Sequence, residues 1–357
     1  MAVTAVALLA LLRQSAGHAQ DLRLELDSLR APVSPAFVLL GVAPTAIERP
    51  SSLRAIAISA VSALRRTNGL IPEDYAIETA PYWMRSRPAI TLEDLRTADP
   101  HETALHTLGI SLATTRYEFD PDGDIPALRG TRIGAGVRFM LFDGTPSPAF
   151  DSLIDSLRAL HSRCLVLPEP EDEACVEELG TQDIARAIQS EARDPGGFVL
   201  QVSAALTGDF PNDVFDAGQI HRAGVWITPG WRLRDREVEL FGVARYLRDR
   251  VGGIGGEHAD VFDAGGRVGW DRQRFALSAE AVQRTTRVAG ESETRYRVTG
   301  MIEARLAESI LASLTIGKGY EPAESDPAGR DRVVATLGIG FGAGARPAVA
   351  IPLAPAR

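Results

Sequence analysis

The sequence predicts an all-β chain, a transmembrane antiparallel up-and-down β-barrel of about twelve strands, and three observations carry that expectation. The first is a period of two: Val333, Ala335, Leu337, Ile339 and Phe341 alternate with Val334, Thr336, Gly338, Gly340 and Gly342. A strand patterned in this way has one apolar face for lipid and one small or polar face for a lumen. The second is recurrence. Twelve such runs lie between residues 54 and 343, each about 9 to 14 residues long, the length that crosses a bilayer when tilted. The third is an alternation of short and long joins along the second half of the chain.

The chain begins with an apolar run, Ala2 to Leu12, followed by Ser15, Ala16, Gly17, His18 and Ala19. Residues 1–19 therefore read as a secretory signal peptide cut after Ala19, against the alternative of a first helix of a soluble domain. A basic residue before the run is missing, and Arg13 follows it. No Cys follows the cleavage site, so a lipoprotein anchor is not expected. Residues 20–53 precede the first strand and carry an apolar stretch, Ala36 to Val42, bounded by prolines. Two readings stand side by side: a plug folded into the lumen, or a periplasmic lead-in.

The strands follow in order. The weaker candidates are 54–64, 74–85, 104–117, 220–231, 237–248 and 259–270, with Pro81 and Pro229 inside two of them; proline removes a ladder donor, so register is less firmly set there. Thr131 to Phe142 turns Ile133, Ala135, Val137, Phe139 and Leu141 one way and Arg132, Gly134, Gly136, Arg138 and Met140 the other. Phe198 to Thr207 opposes Phe198, Leu200, Val202, Ala204 and Leu206 to Val199, Gln201, Ser203, Ala205 and Thr207. Arg274 to Thr285, Arg295 to Leu306 and Ile310 to Tyr320 repeat the scheme. The joins after strands six, eight and ten are short: Arg232 to Arg236, Asp271 to Gln273, and Ala307 to Ser309. Those after strands seven, nine and eleven read as longer and polar: Arg250 to Glu257, Arg287 to Glu293, and Glu321 to Arg330. Short turns on one side and long loops on the other are the barrel rule.

Residues 146–193 break the pattern. Phe150, Leu153, Ile154, Leu157 and Leu160, then Val176, Leu179, Ile184, Ala187 and Ile188, recur at helical spacing. By the strand count this helical insert falls between strands four and five, on the periplasmic side. The tail, 344–357, holds Pro347, Pro352 and Pro355. A further strand at 348–353 and a tail tucked into the lumen are both open. Cys164 and Cys175, the only cysteines, are expected to form a disulfide that closes a short loop in the insert.

Composition narrows the chemistry. A net charge of -9 offers nucleic acid no basic surface. Lys318 is the only lysine among 38 basic residues. Inward positions gather charge of both signs: Glu78, Arg132, Arg138, Arg222, Glu239, Arg245, Asp263, Arg267, Arg274, Glu280, Arg295, Arg297, Glu303 and Arg305. In a water-filled pore such residues set selectivity, and the excess of arginine favours anions. The same residues paired across strands would brace a narrow barrel instead. No metal and no cofactor is expected: Asp120, Asp122 and Asp124 open like a calcium loop but lack its later Glu. No Gly-x-Ser-x-Gly, HExxH or phosphate-loop motif is present, so an enzyme is not expected, although His106 and His221 share the outward parity that a wall-mounted hydrolase would use.

Taken together, the leader, the alternating strands and the loop rhythm resemble a Gram-negative outer-membrane β-barrel over residues 54–343. The resemblance is architectural and names no family. It implies an outer-membrane location, contact with membrane lipid, and porin-like passage of small, anion-biased solutes. The second reading is a closed structural or interaction barrel that docks a periplasmic protein partner through its helical insert, and the third an envelope hydrolase. Such barrels end on an aromatic residue, whereas Phe341 is followed by Gly342 to Arg357.

Overall fold

A computed structural model describes residues 21–25, 34–43, 45–49, 55–63, 74–85, 89–97, 99–119, 128–144, 148–164, 183–184, 186–188, 196–233, 237–250, 257–272, 275–307, 309–320, 333–343 and 348–352. The strands are β1 (Asp21–Glu25), β2 (Ile56–Ala63), β3 (Asp74–Thr79), β4 (Ile90–Thr91), β5 (Gly109–Phe119), β6 (Leu128–Asp143), β7 (Gly197–Pro211), β8 (Gln219–Leu233), β9 (Val238–Arg250), β10 (His258–Arg272), β11 (Phe275–Val288), β12 (Glu291–Ala307), β13 (Ile310–Lys318), β14 (Val333–Ala343) and β15 (Ala348–Pro352). Twelve of them, all but β1, β4 and β15, close into one barrel. Every barrel pair is antiparallel between chain neighbours, and β14 returns to β2 to shut the ring. An up-and-down barrel leaves no unpaired strand edge.

The predicted faces hold. On β7, Val199, Gln201, Ser203, Ala205 and Thr207 are buried while Phe198 and Leu206 are exposed. On β12, Thr299, Met301 and Glu303 are buried, whereas Tyr296, Val298 and Ile302 are more than half exposed. Three bulges interrupt the registers, between Met140 and Phe142, between Arg305 and Ala307, and between Thr207 and Gly208. Pro229 is accommodated in β8 because the ladder to β9 skips positions 228 and 229.

Four details differ from the sequence reading. The strand expected over 74–85 stops at Thr79, and Pro81–Met84 is a 3-10 turn, since proline fits the first position of a helical turn better than a strand interior. The strand expected from 104 begins at Gly109, after a helix, Pro100–Thr107. Asp99 caps that helix, accepting from His101 N at 2.8 Å and Glu102 N at 3.3 Å, and Pro100 supplies the preset first turn. His106 thus sits on a helix and not on an outward wall. Finally, the polar join expected over 287–293 is a two-residue turn. Ala289 and Gly290 both take positive φ, 50° and 92°, the twist that joins two strands tightly.

The remaining helices are α1 (Pro35–Leu40), α2 (Leu92–Thr97) and α4 (Pro148–Cys164), with α3 being Pro100–Thr107. Helix α4 lies between the fourth and fifth barrel strands, at the end where β2 begins and β14 finishes. At this near end β15 pairs antiparallel with β1 and parallel with β4, making a small separate sheet. The extra C-terminal strand is therefore real but does not join the barrel. Phe150, Ile154 and Leu157 of α4 pack with Ile188, Val349 and Ile90 into their own apolar cluster. Trp83 is buried beside Ala55 and Ala80. Among the described residues, no helix is long and apolar enough to cross a membrane. Residues 1–19, Asp120 to Asp124, Arg274 and Cys175 lie outside the described residues, and so does the expected disulfide.

Candidate functional site

The barrel interior holds the functional candidates, and residues 34–49 occupy its centre. Ser34 accepts from Phe37 N at 3.3 Å, Pro35 starts α1, and Gly41 ends it with φ 76°, so the local sequence Ser-Pro, apolar run, Gly specifies a single short helix. Phe37 and Leu39 are almost completely buried, which stabilises the docked helix by about 1.5–3 kcal/mol for each such side chain. The wall they meet is apolar: Trp226, Phe241, Val243, Leu247, Val261 and Val282 belong to the same cluster. On the β6 side the approach is close, since a Cβ on Gly136 would stand 2.7 Å from Pro35 Cβ and 3.0 Å from Ala36 N. Glycine there makes room for the helix.

Past α1 the segment is held by charge. Glu280 accepts from Ala46 N at 2.9 Å, Ile47 N at 3.2 Å and Thr299 Oγ1 at 2.9 Å. Arg267 donates to Ile47 O at 3.1 Å, Arg245 to Ala46 O at 3.4 Å and Arg222 to Leu39 O at 3.0 Å. Glu48 accepts from Gln201 and from Ser203 Oγ at 3.0 Å. Arg49 donates to Glu239 and to Asp271 Oδ2 at 2.7 Å, and lies 3.7 Å from Glu303. Because these partners come from β7 to β12 around the ring, the segment must lie inside it.

The predicted inward charges can be placed individually. Arg138 is bidentate on Glu78 at 2.7 and 3.0 Å. Asp263 binds Arg245 and Arg284. Arg297 stands 3.5 Å from Glu280 and Arg267 3.6 Å from Glu303. Arg222 grips Asp249 with two nitrogens, at 3.0 and 2.5 Å. Arg305 is half-buried on β12, and Arg295, also half-buried, pairs with the exposed Glu293 at the far end. Arg132 makes a long pair with Asp209, 3.8 Å, and lies over the Tyr117 ring at 4.6 Å. Most of these groups are thus engaged with one another or with residues 34–49.

Sequence reading missed Glu48, Arg49, Gln201, Ser203, Asp209, Asp249 and Asp271 as site residues. A usable signal existed for two: Glu48 and Arg49 end a stretch from Ala31 to Ile47 that carries no charge. His221 was assigned the wrong face. A bulge leaves His221 as the extra residue between Arg222, opposite Thr207, and Ile220, opposite Gly208, and the histidine turns inward to within 3.8 Å of Asp249; bulges re-aim side chains in this way. At the near end, burial holds the His106 imidazole below its usual range, with Arg85 adding to the effect and Asp94 and Glu102 opposing it. The ring packs edge-on against Tyr82 at 4.3 Å. Among the described residues, no cluster could hold a metal ion.

No protein-family model and no curated protein matches the chain. Several solved structures overlap it loosely, three of them as follows. The NanC porin shares 8% identity over 81% of this chain and 98% of its own, with a TM-score of 0.37. The beta domain of the Bordetella autotransporter BrkA shares 10% over 81% and 98%, at 0.40. LpxR from Salmonella typhimurium shares 9% over 81% and 99%, at 0.34. Likeness this distant carries no functional argument, and the description rests on the strand pairing itself: the chain is a closed twelve-stranded antiparallel β-barrel, the architecture of outer-membrane barrels.

Proposed function

We propose that the chain is an outer-membrane barrel sealed by its own residues 34–49, and that it serves as a structural or interaction module facing a periplasmic protein partner. Membrane insertion is supported by the outer wall. Ile58, Ile77, Leu112, Leu206, Val225, Leu240, Val268, Leu277, Val298, Ile302 and Ile316 are each at least 40% exposed, one on nearly every barrel strand. An apolar belt this continuous is untenable in water and natural in lipid. Aromatics flank it toward the near end, where Phe142, Phe198 and Trp231 stand side by side with centroids 5.9 and 6.5 Å apart. The near end, with the small sheet of β1, β15 and β4 and the α4 insert, then faces the periplasm.

The single observation that carries the closed reading is the apolar inner wall covered by α1. A constantly open, water-filled pore gains nothing from inward Trp226, Phe241, Leu247 and Val282, whereas a sealed barrel uses them to dock Phe37 and Leu39. Planar-bilayer recording of refolded protein is the test, with no steady current expected; a stable open conductance would overturn the proposal. A gated, anion-biased passage is the second reading, favoured by the polar grip of Glu280, Arg245 and Arg267 on the backbone of residues 46–47.

A further inference from the structure

The outer wall changes character along one register row that crosses three neighbouring strands. The outward face of β9 is apolar from Leu240 to Ala244, passes Tyr246 and then meets Arg248. On β10 it is apolar from Val268 to Phe262 and then meets Asp260, and on β11 it runs from Leu277 through Ala281 to a polar end at Arg287. Strand pairing sets these ends side by side, with Asp260 opposite Arg248 on one flank and Arg287 on the other. All three are exposed. Immediately below, Phe262 lies opposite Tyr246, and both rings stand on the outer surface.

The length of β10 places this row relative to the membrane. Asp260 stands ten residues from Trp270, whose ring meets Phe275 edge-on at 5.6 Å at the near end. Ten residues of strand span about 33 Å. At a tilt of about 40° that is about 25 Å along the membrane normal, the height of an outer-membrane apolar band. The row therefore marks the far, extracellular rim of the band, where lipid headgroups begin.

The two arginines are not spent on the protein. The Tyr246 hydroxyl donates to Asp260 Oδ1 at 2.6 Å, whereas neither Arg248 nor Arg287 has a hydrogen bond or an ion pair among the described residues. Two strand spacings, about 10 Å, separate their backbones, and two arginines against one aspartate leave positive charge in excess. A guanidinium fork matches phosphate oxygens through two parallel bonds, and phosphate is the anion that a lipid presents at the rim of its apolar region. A dissolved anion gains nothing from the apolar wall below the row. A lipid gains from both, because its chains cover that wall while its phosphate reaches the arginines.

We propose that Arg248 and Arg287 hold the phosphate-bearing headgroup of an outer-leaflet lipid whose acyl chains lie along the wall of β9 to β11. This site rests on the membrane reading of the wall and is independent of the seal.

The test is native mass spectrometry of the refolded full chain in zwitterionic detergent, titrated with lipid A, with dephosphorylated lipid A and with sodium phosphate. Saturable retention of lipid A is expected. Removing either guanidinium should weaken it about fivefold, in Arg248→Gln and in Arg287→Gln, and the double variant should lose it. These exposed side chains have no protein contact to lose, and heat-modifiable gel mobility reports folding for each variant. Arg272→Gln, at an exposed near-end arginine paired with Glu237, should retain lipid A like the parent. Equal retention by the double variant, equal weakening by Arg272→Gln, equal retention of dephosphorylated lipid A, or free phosphate bound as tightly as lipid A would each overturn the proposal. Flotation of the parent with phosphatidylcholine vesicles separates the two readings: protein that floats but shows no preference for lipid A loses this site alone, and protein that does not float loses the membrane reading as well.

Discussion

Replacing Glu280 with alanine should loosen the seal without dismantling the barrel. The Glu280 carboxylate holds the Ala46 and Ile47 amides at 2.9 and 3.2 Å, and both residues are buried. Truncation leaves two enclosed N–H groups without an acceptor, each costing about 1–3 kcal/mol. The low end of the sum, about 2 kcal/mol, already raises the population with residues 45–49 released by a factor of about 30. Glu280→Gln retains one acceptor oxygen and should show roughly half the cost in free energy. Hydrogen exchange of the peptide covering residues 45–49 reads this opening directly. Bilayer recording of the same sample tells whether release opens a passage: bursts of current would favour the gated reading, and continued silence the permanently sealed one. The reasoning fails if the folded Glu280→Ala protein exchanges the Ala46 and Ile47 amides as slowly as the parent.

Three more predictions follow from single contacts. Gly136→Val places a side chain against Pro35 and Ala36 and should cost about 1–3 kcal/mol of overpacking, visible as faster exchange across residues 34–41. Ile302→Arg, on the exposed wall between Leu277 and Leu314, should lower stability by about 2–4 kcal/mol if the wall faces lipid; urea unfolding in vesicles with no change would refute a membrane-facing belt. His106 is held neutral by burial, so its contribution is complete above the ordinary histidine value of 6.5 and is lost as pH falls through the lower folded-state value. Acidification that carries the pH below this lowered value should therefore loosen the contacts with Tyr82 and Trp83. Trp83 fluorescence would report it, and His106→Gln should remove the pH dependence.

The local order of the chain determined a good deal of this molecule. A side-chain period of two assigns faces one strand at a time, which is why the inward set on β7, β11, β12 and β14 was legible without coordinates. Start and stop signals around 34–41, and the helical spacing from Phe150 onward, belong to the same class of local information. Where local geometry changed by one residue the reading slipped, at the Ala289–Gly290 turn and at the His221 bulge, because a bulge or tight turn is a negotiation between two strands and not a property of either. What only the tertiary structure decided is where charges end up. Residue Glu280 meets Ala46 across 234 positions, and Arg49 meets Glu239 across 190. No periodicity encodes such distances. Closing the ring brought an uncharged stretch and its terminal Glu48 and Arg49 into a wall of arginines and carboxylates, and burial inside that wall made pairing obligatory.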